Sequence, residues 1–129
     1  ETSKVMRGLL RLVVTDGTGK NAEVEGYEVG GKTGTAEKPG LKGYDKDKLI
    51  SSFVGVFPAS SPEYAIFVVI DEPNGIKESY GYATAGWTAA PTAGRVIQRM
   101  ATILGMPPVE KTVESVEKLL VSQEEGQGL

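Results

Sequence analysis

Residues 29–40 read VGGKTGTAEKPG, and the way this stretch folds decides the reading of the whole chain. Counted from Gly26, the residues GYEVGGKT satisfy the phosphate-loop template of glycine, any four residues, glycine, lysine and threonine. A phosphate loop needs its lysine at the start of a helix, whose first amides and dipole hold the phosphates. Here Lys32-Thr33 is followed by Gly34 and then by Pro39-Gly40, which leaves no room for a helix. The preceding NAEVEGYEV is polar and broken, unlike the buried parallel strand that such a loop follows. The apolar run AIFVVID ends in Asp71, in imitation of a magnesium-binding strand, but runs straight into the turn Glu72-Pro73-Asn74-Gly75. A P-loop nucleotide-binding protein therefore stays a remote alternative. The stretch reads instead as a glycine-interrupted strand from Tyr27 to about Ala36, bent where Gly30, Gly31 and Gly34 fall.

Outward from this strand the pattern is α+β. Before it, Met6, Leu9, Leu10, Val13 and Val14 recur at helical spacing, with Thr2 or Ser3 as cap and Lys4, Arg7 and Arg11 on the wet side. TDGTGKN ends that helix. After the strand, Glu37 to Lys48 reads as a polar loop, with the charge run Asp45 to Lys48 as a solvated turn. Leu49 to Phe57 and Tyr64 to Ile70 read as two further strands, the last apolar at almost every position and so expected to be central and covered on both faces. The short links favour antiparallel neighbours, since a parallel crossover needs a dozen or more residues. A loop rich in Gly, Tyr and Ser leads to a helix with Pro91 in its first turn and Ala93, Val96, Ile97, Met100, Ala101 and Leu104 as its stripe. Gly105 and Pro107-Pro108 stop it. Residues 109–129 read as a separate tail, amphipathic and expected to be partly disordered, so that 1–108 is the expected folded unit.

Composition narrows the chemistry. A chain of 129 residues with 40% hydrophobic content can bury about two thirds of its unfolded surface. Net charge is −3 and the basic residues are scattered, which argues against nucleic acid as a partner. With neither cysteine nor histidine, thiol chemistry, disulfides, most zinc sites and histidine acid–base catalysis are excluded. No cofactor or metal is expected. The longest apolar run, Ala65 to Ile70, is far shorter than the roughly 20 residues of a membrane span. The opening ETSKVMRGLL starts in helical character and reads as a segment of a larger protein.

Several segments, in order, resemble the class B penicillin-binding proteins. KTGTA at Lys32 to Ala36 looks like the third signature of the serine-acylating, penicillin-binding fold. GTGKNA lies before it, SFVGVFPAS follows it, and YAIFVVIDEP and the YGYATAGWTAAP loop come after. The likeness covers residues 2 to 107 and is greatest to the division-specific peptidoglycan transpeptidases. It implies the C-terminal part of a transpeptidase domain, a partial penicillin-binding and serine β-lactamase-like fold with a helix at each end of a three-stranded sheet. The family's Ser-x-x-Lys and Ser-x-Asn motifs precede KTG. No Ser-x-Asn occurs here, and the one Ser-x-x-Lys, Ser115 to Lys118, lies after KTGTA and reads as a chance match.

The resemblance also implies roles. Thr35 gives its backbone N–H to an oxyanion hole, and Lys32 supplies positive charge beside the serine of the missing Ser-x-Asn. Thr33 and Thr35 hydroxyls bind the carboxylate of a stem peptide or a β-lactam, and Gly34 keeps the strand open to substrate. The implied partners are peptidoglycan stem peptides, β-lactam antibiotics, the missing N-terminal part of the domain, and division-machinery proteins. The implied location is the periplasmic side of the bacterial inner membrane, through an anchor outside this chain. Tyr44 reads as a solvated loop residue, Tyr80, Tyr82 and Gly86 as a loop flanking the site, and Trp87 as core packing. A non-catalytic β-lactam sensor or structural module on the same fold is the alternative.

Overall fold

A computed structural model of the chain describes residues 1–41 and 43–109. The expected tail helix lies outside them. Helix α1 (Thr2–Thr15) is followed by a 3₁₀ turn at Lys20–Ala22, then strands β1 (Gly30–Gly40), β2 (Gly43–Phe57) and β3 (Tyr64–Asp71). A second 3₁₀ turn, Lys77–Ser79, precedes helix α2 (Ala89–Ile103). The sheet is antiparallel in the order β1-β2-β3, two hairpins in succession, as the short links required.

Side-chain alternation divides the sheet into two faces. Thr33, Phe53 and Val68 stand in one cross-strand row, and Thr35, Ser51 and Ile70 in the next. This inner face carries the core: Phe53 and Phe57 pack with Val14, Val24, Val29, Ala93 and Ile97. The α2 stripe is narrower than its sequence suggests, because Ala89, Ala90, Ala93, Gly94, Ile97 and Ala101 are buried while Val96 and Leu104 are exposed. Small residues at these positions let the helix lie close. The row beneath is equally tight. A Cβ on Gly31 would stand 2.4 Å from Phe53 Cζ and 2.5 Å from the Val54 carbonyl oxygen. Gly31→Ala is therefore expected to lower unfolding free energy by about 2 kcal/mol in the intact protein, readable by urea titration. An unchanged midpoint would show that Phe53 can move aside.

Four expectations need correction. Strand β3 is at the edge of the described sheet rather than central, with Tyr64, Ile66, Val68 and Ile70 inward and Phe67 and Val69 at least half exposed. Its apolar run signals two apolar faces, of which the described residues cover one. The α1 stripe is likewise turned outward: Met6 and Leu9 are exposed, together with Val5 and Leu12, and Val14 alone is fully buried. The arginines point inward instead. Arg11 forms a two-pronged pair with Glu23 and donates to the Val29 carbonyl at 2.7 Å, while Arg7 donates to the Ser60 carbonyl at 3.2 Å. Neither Thr2 nor Ser3 caps α1, which starts after Glu1 without a side-chain cap.

The fourth correction is the loop expected over 37–48. The first hairpin continues through it, Lys38 facing Asp45 and Gly40 facing Gly43, after a register shift between Glu37 and Lys38 that bulges residues 46–48 outward. Backbone pairing needs no apolar side chains, so a polar arm extends as readily as it loops. Lys38 anchors the bulge, its Nζ 2.9 Å from both Asp71 Oδ1 and Glu72 Oε1. The hydrogen bonds to Glu72 and Asp71 raise the Lys38 pKa, so the charged form is favoured throughout the neutral range.

Candidate active site

Strand β1 lies on the edge of the sheet opposite β3, so one line of its backbone groups meets no other strand among the described residues. Which residues own that line follows from three contacts. Ser52 Oγ donates to the Gly34 carbonyl, and the Gly30 carbonyl lies 3.1 Å from the place of a Cβ on Gly55, so even-numbered carbonyls face β2. Lys32 Nζ donates to the Thr33 carbonyl at 2.7 Å from the other side. In an antiparallel strand the N–H and C=O of a residue point the same way and alternate along the chain. The N–H groups of Thr33 and Thr35 therefore face the free edge.

Side chains divide differently. Lys32 leaves the strand on the face of Val54, then folds over the free edge to bring Nζ within 3.3 Å of Thr33 Oγ1. Thr33 and Thr35 stand on the inner face and line a cavity of about 500 Å³ with Thr18, Asn21, Thr84 and Trp87. The structure thus brings Thr33 and Thr35 into one cavity and holds Lys32 at its rim through the ammonium group. At Gly34 the close neighbour is Ser52 Oγ, which would stand 2.7 Å from a Cβ, so packing on the outer face adds a reason for glycine there.

Two segments close the cavity. The turn after α1 is made compact by glycine: the amides of Gly17 and Gly19 both donate to the Val13 carbonyl, at 3.1 and 3.0 Å. A Cβ on Gly17 would stand 2.8 Å from that same oxygen. The turn presents Thr18, whose hydroxyl is 2.7 Å from that of Thr33. The loop before α2 comes from the opposite direction, with its Ala85 N–H donating to Thr35 Oγ1 at 3.0 Å. Asn21 joins the two, its Nδ2 donating to the Gly86 carbonyl at 2.8 Å. Gly86 fits because a Cβ there would lie 2.8 Å from the Thr18 carbonyl.

Thr18, Asn21, Thr84 and the Ala85 amide carry no site role in the sequence reading. For Thr18 and Asn21 the signal was the pair of closely spaced glycines in GTGKNA, which implies a backbone packed against something; Thr84 and Ala85 carry no such signal. Trp87, assigned to the core, is 41% exposed, sits edge-on to Tyr80 with ring centroids 5.9 Å apart, and lines the cavity. Tyr82 is exposed, and Tyr44 is exposed far along the hairpin arm. The phosphate-loop geometry is not present: Lys32-Thr33 is mid-strand, no helix starts there, and Asp71 is paired with Lys38.

The chain and its fold match known proteins. The family model described as penicillin binding protein transpeptidase domain matches residues 1–97. The peptidoglycan D,D-transpeptidase FtsI homolog of Chlorokybus atmophyticus is 44% identical over 109 residues, 84% of this chain and 15% of that protein. The apo TP domain of Burkholderia pseudomallei penicillin-binding protein 3 aligns with a TM-score of 0.70 at 36% identity, over 83% of this chain and 31% of that one. Penicillin-binding protein 3 of Mycobacterium tuberculosis, complexed with ampicillin, aligns with a TM-score of 0.71 at 27% identity, over 85% and 25%. The chain spans less than a fifth of the length of the curated relative. An edge strand bearing KTGTA, its free amides, and a match that runs from the first helix into the second together place the chain in the penicillin-binding protein transpeptidase domain family.

Proposed function

We propose that this chain is the C-terminal part of a peptidoglycan D,D-transpeptidase, which cross-links stem peptides through a serine acyl-enzyme and is acylated by β-lactams. The observation that carries the reading is the edge of β1, where the Thr35 N–H, which meets no strand among the described residues, the Lys32 ammonium and the Thr33 and Thr35 hydroxyls converge. An amide that meets no carbonyl is a ready donor to the oxyanion of an acyl-transfer intermediate. The Lys32 charge beside it favours anionic groups, and the Thr33 and Thr35 hydroxyls donate to the ligand's carboxylate. An unpaired edge also accepts an extended peptide as an added strand, which suits a peptide donor. Gly34 leaves that approach open.

The nucleophilic serine belongs to the part of the domain that precedes α1. That part is also what covers the outward apolar faces of α1 and of β3. Division machinery, stem peptides and the periplasmic face of the inner membrane follow as the setting of the whole protein. The test uses the full-length protein, a fluorescent penicillin and a pentapeptide-bearing glycan. Covalent labelling together with release of D-alanine and formation of cross-linked product is expected. Labelling without D-alanine release would make the protein a β-lactam sensor, and absence of both would end the reading.

A further inference from the structure

The cavity contains a chain of contacts that begins away from the KTG strand. Asn21 Nδ2 donates to the Gly86 carbonyl, and one residue earlier the Ala85 N–H donates to Thr35 Oγ1. A hydroxyl that accepts an amide N–H has its own proton left to give. The Ala85 amide thus fixes Thr35 as a donor, and Asn21 fixes the loop that carries the amide. We infer that Asn21 is a positioning residue, which acts through Ala85 to turn the Thr35 hydroxyl proton toward an anionic group of the ligand.

Asn21 is exposed, so it is not held by core packing. Its hydrogen bond reaches across 65 positions of sequence, from the turn after α1 to the loop before α2. Both ends of that bond lie on the wall of the same cavity as Thr33 and Thr35. Thr18 works in parallel: paired with Thr33, it restrains the other hydroxyl of the wall. The inference rests on the proposed carboxylate-binding role of Thr35, and specifies what orients it.

The experiment uses the full-length protein and resolves penicillin acylation into the dissociation constant of the first complex and the first-order acylation step. Asn21→Asp keeps the shape but removes the donor to Gly86. It is expected to weaken the first complex with benzylpenicillin about tenfold, the scale of one hydrogen bond to a charged group. With benzylpenicillin methyl ester, which lacks the carboxylate, the loss should be under twofold. Equal losses on the two ligands, or no loss on either, overturn the inference. Thr35→Val gives a second route should the Asp variant fold poorly. Asn21→Ala added to Thr35→Val should bring no further loss on the carboxylate ligand, because both act through one hydroxyl. An additive loss overturns the inference as well. Lys32→Ala is the control: if it labels normally, the proposed function fails, whereas a dead Lys32→Ala with normal Asn21 variants removes this inference alone.

Discussion

Replacing Lys32 with alanine in the full-length protein is expected to cut the rate of penicillin acylation by on the order of 100-fold or more, the cost of removing one charged stabiliser from an acyl-transfer site. Unfolding free energy should change by no more than about 0.5 kcal/mol. The separation follows from the position of the side chain. Lys32 is exposed, its ammonium meets the Thr33 carbonyl and hydroxyl, and it pairs with no carboxylate among the described residues. Nothing in the core leans on it. Fluorescent-penicillin labelling read against thermal melting checks both halves. Normal labelling removes Lys32 from the chemistry, and a collapsed melting temperature would make it structural.

The second large effect concerns the chain by itself. Residues 1–129 are expected to form no acyl-enzyme, a complete loss relative to the full-length protein. The free amide of Thr35 and the charge of Lys32 lower a barrier, and neither replaces a nucleophile. Labelling should return when these residues are combined with the preceding part of the domain, as mixed halves or as a nicked whole. The packing argues for such reassembly. Phe67 is 68% exposed and Val69 and Val54 are 50% exposed on one face of the sheet, while α1 exposes Val5, Met6, Leu9 and Leu12. Apolar faces of this extent are seldom left to water. Mass spectrometry of the labelled mixture should place the adduct on the other polypeptide. An adduct on Ser115, the serine of the late Ser-x-x-Lys, would name a different nucleophile and reverse the reading.

Elements whose pattern is set by local chemistry were legible in the sequence. PASSPE marked the turn of the second hairpin, Pro91 and Gly105 bounded α2, and KTGTA marked the strand that forms the cavity wall. Long-range partners decided the rest. Arg11 reads as a solvent-facing charge until Glu23 and the Val29 carbonyl are placed beside it. The α1 stripe gives helical period correctly and direction wrongly, because period does not say which neighbour is there to receive it. The arm over residues 38–45 is polar, and strand pairing there depends on backbone bonds that no side chain announces. At the site, Lys32, Thr33 and Thr35 came from the motif. Asn21 and the Ala85 amide did not, since one is an ordinary turn residue and the other a backbone group.

The glycine at position 31 has a consequence for how such a site can be altered. Gly31 and Gly55 both lie against the Phe53 ring, 2.4 and 2.8 Å from it at the place of a Cβ, so the floor of the wall strand has no spare volume. Selectivity therefore cannot be adjusted from below by enlarging a residue. Variation that reshapes the cleft without unseating β1 has to be made at the rim, on the turn that presents Thr18 and Lys20 and on the loop that presents Thr84 and Trp87. A change in what the cleft admits would thus be sought in two loops distant in sequence, while the strand between them stays fixed.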